Sequence, residues 1–184
     1  MNMVLEKKRV TAEEFEHFVE LPENSERLFE LIGGEIVEVP SNPYSSKLGM
    51  RFGRHIGNFV DENDLGHVTG EQGGYMVSGE RYAPDVGFIS KQRQPELPRK
   101  GYNPLAPDLA VEVVSPTDRE DRLSIKIANY LAAGTVVWVA RPEYKEVEVY
   151  VPGQPVKIVD MNGELDGGSV LPGFRLAVKD IFRD

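Results

Sequence analysis

The sequence contains no cysteine and only three histidines among its 184 residues. Without cysteine there is no disulfide, no thiolate-bound zinc or iron–sulfur site, and no cysteine nucleophile. So few histidines disfavour a zinc site built entirely from protein ligands and most histidine-based catalytic triads. Any metal chemistry in this chain would therefore depend on carboxylates.

The sequence also lacks long apolar runs and an excess of basic residues. No apolar stretch is long enough to span a bilayer, and the segment from Met1 to Lys7 lacks the apolar core of a secretory signal. The expected location is therefore the cytoplasm. The 30 acidic residues outnumber the 21 basic ones, for a formal net charge of −9. This charge argues against nonspecific coating of DNA or an anionic membrane, but it is compatible with a local basic groove.

Length and composition predict one globular domain over residues 1–184. Apolar residues make up 40% and charged residues 28% of the chain, as in ordinary globular proteins. A chain of this length buries roughly 70% of the surface that it exposes when unfolded. Within the domain we expect an N-terminal helix and hairpin over 11–40, a core over 41–141 and additional strands over 142–184.

The N-terminal part carries the signals of a helix followed by a hairpin. Thr11 and Glu14 have the spacing of a capping box and precede apolar residues at helical spacing, which predicts a short helix over 11–20. Two β-rich runs, 27–32 and 35–40, are joined by a Gly-Gly pair. That arrangement is typical of a β-hairpin.

A second amphipathic helix is predicted after a turn over 41–46. Apolar residues recur every three or four positions from Leu48 to Val60, and the opposite face carries Lys47, Arg51 and Arg54 at the same period. This basic stripe has two interpretations: an ordinary solvated face, or a set of contacts to a phosphate backbone. The sequence leaves both open.

The rest of the chain alternates between short strands and one further helix. Strands are predicted over 67–70, 75–77, 86–89, 109–114, 136–140, 146–151 and 156–159. The helix is predicted over 118–133, with Ile127, Leu131 and neighbouring alanines covering the sheet. The order of elements predicts an α/β fold: a mixed β-sheet with an αβββαβ core, flanked by helices, with extra strands at both ends.

A long basic loop is predicted over residues 90–107. It carries Lys91, Arg93, Arg99 and Lys100 among prolines and glycine. Loops of this length within a domain are usually functional or disordered.

Three residues carry the candidate chemistry. Asp85 opens a strand directly after a proline, Glu112 lies inside a second, strongly apolar strand, and Lys126 lies on the helix that follows. Taken singly, each has an ordinary structural interpretation, as a turn cap, a buried ion-pair partner or a solvated lysine. Glu112 is the hardest to explain in this way, because a carboxylate among valines is costly to bury unless it is paired or bound to a cation.

Together the three residues suggest a magnesium site. Mg²⁺ prefers oxygen ligands and is typically held by one or two carboxylates together with water and substrate phosphate. Asp85 and Glu112 on adjacent strands would supply the carboxylates. A nearby ammonium group would orient the attacking water or neutralise charge that develops on the phosphate.

The segments around these residues resemble a known family. They are Tyr82-Ala83-Pro84-Asp85-Val86, the run from Pro107 to Pro116, and Asp121, Lys126 and Tyr130. This pattern resembles the Uma-type family of putative endonucleases, within the PD-(D/E)XK restriction-endonuclease-like superfamily. The resemblance includes residues 29–35 and 171–174, so it runs over most of the chain. It implies a restriction-endonuclease-like fold and hydrolysis of DNA that depends on Mg²⁺ or Mn²⁺.

The resemblance also assigns roles to particular positions. Pro84-Asp85 matches the PD element and Glu112 the acidic residue of the second element, which makes Asp85 and Glu112 the metal ligands. Where the superfamily usually has its catalytic lysine this chain has Val114, and Lys126 matches the lysine that the Uma-type family carries on the next helix. Glu30 and Glu71 are candidates for auxiliary acids.

Two hypotheses from different classes follow. In the first, the protein is a Mg²⁺-dependent endonuclease. Asp85, Glu112 and the Val113 carbonyl hold the metal, Lys126 positions the water, and the basic stripe and the 90–107 loop face DNA phosphates. In the second, the same fold is a noncatalytic binding module or a homodimeric assembly module. The net charge and the displaced lysine favour the second hypothesis, and the intact acids and lysine favour the first.

Overall fold

The structure is a computed structural model that describes residues 9–39 and 42–183. The segment from Met1 to Lys7, the end of the predicted hairpin at Pro40 and the start of the predicted turn at Ser41 lie outside these residues. No helix in the described part of the chain is long and apolar enough to cross a bilayer.

The described residues form four α-helices, one short 3₁₀ helix and twelve strands. In chain order these are α1 (Ala12–Val19), the 3₁₀ helix (Pro22–Asn24), β1 (Phe29–Ile32), β2 (Glu35–Glu38), α2 (Pro43–Glu62), β3 (Gly66–Gly70), β4 (Tyr75–Val77), β5 (Glu80–Tyr82), β6 (Val86–Ser90), β7 (Leu109–Val113), α3 (Glu120–Ala132), β8 (Val136–Arg141), β9 (Glu146–Tyr150), β10 (Lys157–Val159), β11 (Glu164–Asp166), β12 (Arg175–Ala177) and α4 (Val178–Phe182).

The main sheet has six strands in the order β10-β9-β8-β7-β6-β3. Strands β7 and β8 are parallel, and the other neighbours are antiparallel. The connection between β7 and β8 passes through α3, as a parallel pair requires. With α2 ahead of β3, the chain runs through this sheet as α2, β3, β6, β7, α3 and β8, which confirms the predicted αβββαβ order.

A second sheet of four strands, in the order β2-β1-β5-β4, was only half foreseen. The N-terminal hairpin and its capped helix α1 are as predicted. The hairpin of β4 and β5 was missed: its turn falls at Ser78 and Gly79, which have φ angles of 49° and 88°. This hairpin determines where β1 lies, because β5 pairs with β1 immediately before the chain enters β6. The second sheet therefore brings β1 to the edge of the main sheet.

The core lies on both faces of β7 and β8. Buried residues of α2, at the predicted apolar positions Leu48, Phe52, Ile56 and Val60, pack against one face. Helix α4 packs against the same cluster, while α3 belongs to the cluster on the other face. A strand covered on both faces reads as a continuous apolar run, which explains why Glu112 stands out in the sequence.

Helix α3 is rotated relative to the prediction. Its buried residues are Leu123, Lys126 and Tyr130, whereas Ile127 and Leu131 are only half buried. The expectation that Ile127, Leu131 and the alanines cover the sheet was therefore only partly right: Ile127 packs at the margin of the cluster. The alanines at 128, 132 and 133 are exposed. The prediction considered only apolar residues as candidates for the buried face of α3. The polar ends of Lys126 and Tyr130 have buried hydrogen-bond partners, which offset the cost of burying them.

The predicted 90–107 loop begins at the last residue of β6, and residues 91–107 contain no helix or strand. Two of its four basic residues form ion pairs: Lys91 with Asp64 at 2.6 Å and Arg93 with Asp108 at 2.7 Å. The other two, Arg99 and Lys100, are exposed. The loop is therefore anchored to the domain near its start, through Lys91 and Arg93.

One close approach in the main sheet gives a stability test. A Cβ on Gly87, in β6, would lie 2.7 Å from the ring of buried Tyr75, whose hydroxyl is itself bonded to Thr69. We expect Gly87→Ala to lower the free energy of unfolding by about 1–3 kcal/mol, because the ring has no room to move. Gly70→Ala, on the paired strand β3, is the matched control, since nothing lies within 4 Å of its Cβ position.

Urea denaturation of both variants measures the difference. Equal stability of the Gly87→Ala and Gly70→Ala proteins would contradict the packing described around Tyr75.

Candidate active site

A cavity of about 900 Å³ opens between the second sheet, the start of α2 and the start of α3. Its walls include five residues selected from the sequence: Glu30, Glu71, Asp85, Glu112 and Lys126. These residues are up to 96 positions apart in the chain. The fold thus gathers the predicted catalytic residues and both auxiliary acids around one space.

The two predicted metal ligands are placed by the pairing of β6 with β7. The antiparallel register pairs Val86 with Val111, so Asp85 and Glu112 are the next residues on the two strands. Asp85 is fixed there by its Oδ2, which accepts a hydrogen bond of 2.7 Å from the backbone N–H of Val113. A single register shift would turn Glu112 to the other face of the sheet.

Lys126 lies between two buried carboxylates. Its Nζ donates to Glu112 Oε2 at 2.8 Å and to the two oxygens of Glu30 at 2.9 and 3.2 Å. All three side chains are nearly inaccessible to solvent, at 7–11% exposure. Glu30 Oε1 also accepts the backbone N–H of Ala83 at 2.7 Å. The predicted reach of Lys126 from α3 to Glu112 is therefore present, and Glu30 is a second partner that the sequence indicated only as an auxiliary acid.

Tyr130 is the contact that the sequence analysis missed. Its hydroxyl donates to Glu112 Oε1 at 3.0 Å, and the residue is wholly buried. Lys126 and Tyr130 stand four residues apart, so one face of α3 holds both oxygens of Glu112. The spacing of four is visible in the sequence and predicts a shared helix face. Nothing local in the sequence shows that this face meets Glu112.

Burial dominates the electrostatics of the two acids. It raises the pKa of Glu112 to about 8, against the attraction of Lys126 and with further repulsion from Glu30 and Asp85. Burial also raises the pKa of Asp85 to about 6, although the Val113 N–H and Lys126 act in the opposite direction. For Lys126, burial alone would lower the pKa, but Glu112 and Glu30 together hold it above its ordinary value. The site therefore combines one charged ammonium group with carboxyl groups whose neutral forms are favoured by burial.

Glu71 belongs to the outer part of the site. It is exposed in the loop between β3 and β4, and it lines both the main cavity and an adjoining cavity of about 280 Å³. Asp85 lines both cavities as well. Gly49 of α2 lies close to Asp85 where the two cavities meet. A Cβ on Gly49 would lie 3.3 Å from the Cβ of Asp85.

The basic stripe of α2 lies elsewhere: none of Lys47, Arg51 and Arg54 is among the residues that line either cavity. The guanidinium of Arg51 donates to the backbone carbonyl of Ile181 at 2.7 Å and to that of Arg183. Arg51 therefore ties α2 to the C-terminal helix. Contact of this stripe with phosphates stays a prediction from the sequence.

The donor set fits a magnesium ion with few protein ligands. Within residues 9–39 and 42–183 no group of three or more His, Asp or Glu side chains is arranged to hold a metal ion. Asp85 and Glu112 offer two carboxylates that share one cavity. Mg²⁺ is usually bound by one or two carboxylates, with water and substrate phosphate completing its coordination.

The mixed αβββαβ sheet, with one acid at the start of β6 and one in β7, defines a restriction-endonuclease-like protein. The sequence profile of the Uma2 family, described as "Putative restriction endonuclease", matches residues 15–179. The chain therefore belongs to the Uma2 family.

A solved structure shows the same fold. It is the crystal structure of a protein from Anabaena variabilis ATCC 29413, described as a putative nuclease belonging to DUF820. The two structures agree with a TM-score of 0.79 at 24% sequence identity, over 94% of this chain and 97% of that one. No curated protein sequence matches the chain.

The raised pKa of Glu112 predicts how stability depends on pH in the metal-free protein. Between the ordinary glutamate pKa of about 4.3 and about 8, the folded protein holds a proton that the unfolded chain has released. The free energy of unfolding should therefore fall as the pH rises through this range. Glu112→Gln should fall less steeply, because Gln carries no charge at any of these pH values.

Urea denaturation near pH 5 and near pH 8 measures this difference. Glu164→Gln, which removes an exposed acid, should retain the slope of the unsubstituted protein. Identical slopes for all three proteins would mean that Glu112 is ionised throughout.

The buried ion pairs predict a large loss of stability when Lys126 is removed. Lys126→Met leaves Glu30 and Glu112 without the cation between them, so we expect a loss of about 3–5 kcal/mol in the free energy of unfolding. Lys91→Met is the control: its partner Asp64 is exposed, so its loss should stay below about 1 kcal/mol. Similar losses for both variants, measured by chemical denaturation, would contradict the buried network.

Proposed function

We propose that this protein is a Mg²⁺-dependent endonuclease that hydrolyses phosphodiester bonds in DNA. Asp85, Glu112 and Lys126 are its catalytic residues, and Asp85 and Glu112 are its metal ligands. The family to which the chain belongs supports nuclease activity in general. Dependence on Mg²⁺ or Mn²⁺, and DNA as the polymer that is cut, are specific to this proposal. A homodimeric assembly and a cytoplasmic location stay predictions from the sequence.

One observation carries the proposal: a buried ammonium group lies 2.8 Å from a strand carboxylate, in a cavity that a second strand carboxylate also lines. The ammonium group bridges Glu112 of the main sheet and Glu30 of the second sheet at the wall of this cavity. Burial raises the pKa values of Asp85 and Glu112, and a divalent cation bound between the two groups would favour their ionised forms.

The roles of the side chains follow from their positions. Asp85 and Glu112 would hold the metal, with the Val113 carbonyl as a further oxygen ligand. Bound there, a divalent ion supplies a Lewis acid that lowers the pKa of water and neutralises charge on the phosphate. Lys126 would orient the attacking water and stabilise the charge that develops on the phosphate oxygens. Glu30 would keep the ammonium group in place while Glu112 shares its charge with a metal.

The charge of the cavity supports the need for a metal. Seven acidic and four basic residues line it. A phosphate approaching these walls without a cation would meet net repulsion. A divalent cation between the acids and the phosphate reverses the sign of that interaction.

A second candidate function is a noncatalytic binding or assembly module with the same fold. It is favoured by the saturation of Lys126, because two carboxylates already satisfy its ammonium group without a metal or substrate. The two functions differ in whether Asp85 binds a metal and whether DNA is then cut.

The metal prediction separates them. Isothermal titration with Mn²⁺ and Mg²⁺ should show binding in the millimolar range, and either metal should raise the melting temperature. Affinity should increase as the pH rises from about 6 to about 8, because Asp85 and Glu112 must lose their protons to bind. Asp85→Asn should abolish this binding. Asp64→Asn, which removes an exposed acid, should leave it unchanged.

Cleavage of plasmid and single-stranded DNA in Mg²⁺ completes the test. The unsubstituted protein and Asp64→Asn should cut, and Asp85→Asn should not. Binding of metal through Asp85 without cleavage of either DNA would overturn the catalytic proposal in favour of the noncatalytic module. Absence of metal binding would also overturn the catalytic proposal, because the proposed hydrolysis depends on a bound metal ion.

A further inference from the structure

Among the described residues that line the cavity, four are cationic: Arg27, Arg119, Arg122 and Lys126. They differ in how fully the protein already uses their N–H groups. A guanidinium has five such donors in a fixed fork, which suits it to bind carboxylate or phosphate oxygens in pairs. The cation with the most unused donors is the one best placed to bind an anionic ligand.

Three of the four are committed. Lys126 donates to two buried carboxylates. Arg27 holds Glu38 with two hydrogen bonds of 2.8 and 2.7 Å, and Arg119 holds Asp121 with two of 3.0 and 2.5 Å. These are fork-to-carboxylate pairs of the strong kind.

Arg122 is different. Its guanidinium makes a single hydrogen bond, from Nη2 to Glu35 at 3.3 Å, which is longer than a good charge-assisted bond. Its Nε is buried and has no hydrogen-bond partner among the described residues. The Nη1 group also has no hydrogen bond to a described residue, and the side chain is 31% exposed, so the outer end of the fork is available to an acceptor in the cavity.

The position of Arg122 defines that acceptor. It stands one helical turn before Lys126, about 6 Å along the axis of α3, and lines the same cavity. An oxyanion bound by Arg122 would therefore lie beside the groups Lys126, Glu112 and Asp85, and not on the α2 stripe.

We infer that Arg122 is a substrate-binding residue. It binds a phosphate group of the nucleic acid next to the one that is cleaved, through the Nη N–H groups that its single bond to Glu35 leaves unused. This assignment rests on the proposed function for the identity of the substrate. The oxyanion site itself depends only on the guanidinium and the cavity. The competing interpretation is that Arg122 is a structural tether between α3 and Glu35.

The first measurement uses inorganic phosphate alone. The Nε–Hε resonance of Arg122, assigned by its loss in Arg122→Gln, is followed by NMR during a phosphate titration in the presence of Mg²⁺. We expect a saturable shift of this resonance. A structural tether predicts no shift, and that result would overturn the assignment.

The second measurement uses labelled single-stranded and duplex oligonucleotides with Ca²⁺, followed by fluorescence anisotropy at several salt concentrations. Arg122→Gln should weaken binding by roughly tenfold, as expected for loss of a charge-assisted contact. It should also reduce the slope of log affinity against log salt by about 0.7–0.9, the value for one phosphate contact. Arg122→Lys should keep the slope but lose part of the affinity, because the fork is gone.

Arg175→Gln is the matched control. Arg175 is an exposed arginine on β12 whose partner is also a carboxylate, Asp166 at 2.7 Å, and it is not among the residues that line the cavity. It should leave affinity and salt slope unchanged. Equal behaviour of Arg122→Gln and Arg175→Gln, with both variants folded by their melting curves, would overturn the assignment.

The two proposals fail separately. If the Arg122 resonance follows inorganic phosphate but no oligonucleotide binds, the oxyanion site stands and the DNA nuclease falls. If DNA is bound and cut but Arg122→Gln is indistinguishable from the control, the nuclease stands and the role of Arg122 falls.

Discussion

The buried ammonium group of Lys126 is the interaction on which the site depends. Three carboxylates of one cavity, Glu30, Asp85 and Glu112, come from two different sheets. Like charges in such surroundings repel strongly, and a cation among them is what allows them to lie together. Lys126 bonds directly to Glu30 and Glu112, and so joins the second sheet to the main sheet through a charge.

This constraint explains features of the fold that packing alone does not. Helix α3 buries Lys126 and Tyr130 and leaves Ile125 more than a third exposed. The distribution of apolar residues alone would not predict this orientation of the helix. Strand β5 ends against β1 so that the N–H of Ala83 meets Glu30 just before Asp85 enters the cavity. The same few residues thus fix the pairing of the sheets and the shape of the cavity. A site that carries this much of the architecture is costly to lose even where no chemistry is performed.

Sequence reasoning was strong where one local signal decided the structure. The capping box at Thr11, the apolar period of α2 and the valine run of β7 each predicted its element, and the order of elements predicted the main sheet. Prediction from the sequence was weak where a contact between distant parts of the chain determined the structure. The hairpin of β4 and β5 is three residues a side, and nothing local announces that it pairs with β1. The rotation of α3 depends on partners 14 and 96 residues away.

The candidate site shows the same division. Asp85, Glu112 and Lys126 were found because a family resemblance and an acid in an apolar strand drew attention to them. Tyr130 was named only as part of that resemblance, although it completes the clamp on Glu112. The phosphate contacts were sought on the most regular basic stripe, yet regular spacing of charge on a helix mostly reflects a solvated face. Arg122 stands in a regular series with Lys126 and Tyr130 on α3, but only the structure shows that it lines the cavity and that its bond to Glu35 is long.

The net charge of −9 is compatible with an anionic polymer as substrate, because the potential that a phosphate meets is local. Several acidic residues of this chain form ion pairs with its own basic residues. Examples are Glu38 with Arg27, Asp121 with Arg119 and Asp64 with Lys91. Part of the remaining formal charge lies at the cavity, whose walls carry seven acidic and four basic residues. Negative charge that is concentrated in a cavity attracts small divalent cations far more strongly than the same charge spread over the surface does. In the proposed function a divalent cation therefore occupies this cavity beside Arg122, and a phosphate approaches through that cation and not through the protein surface at large.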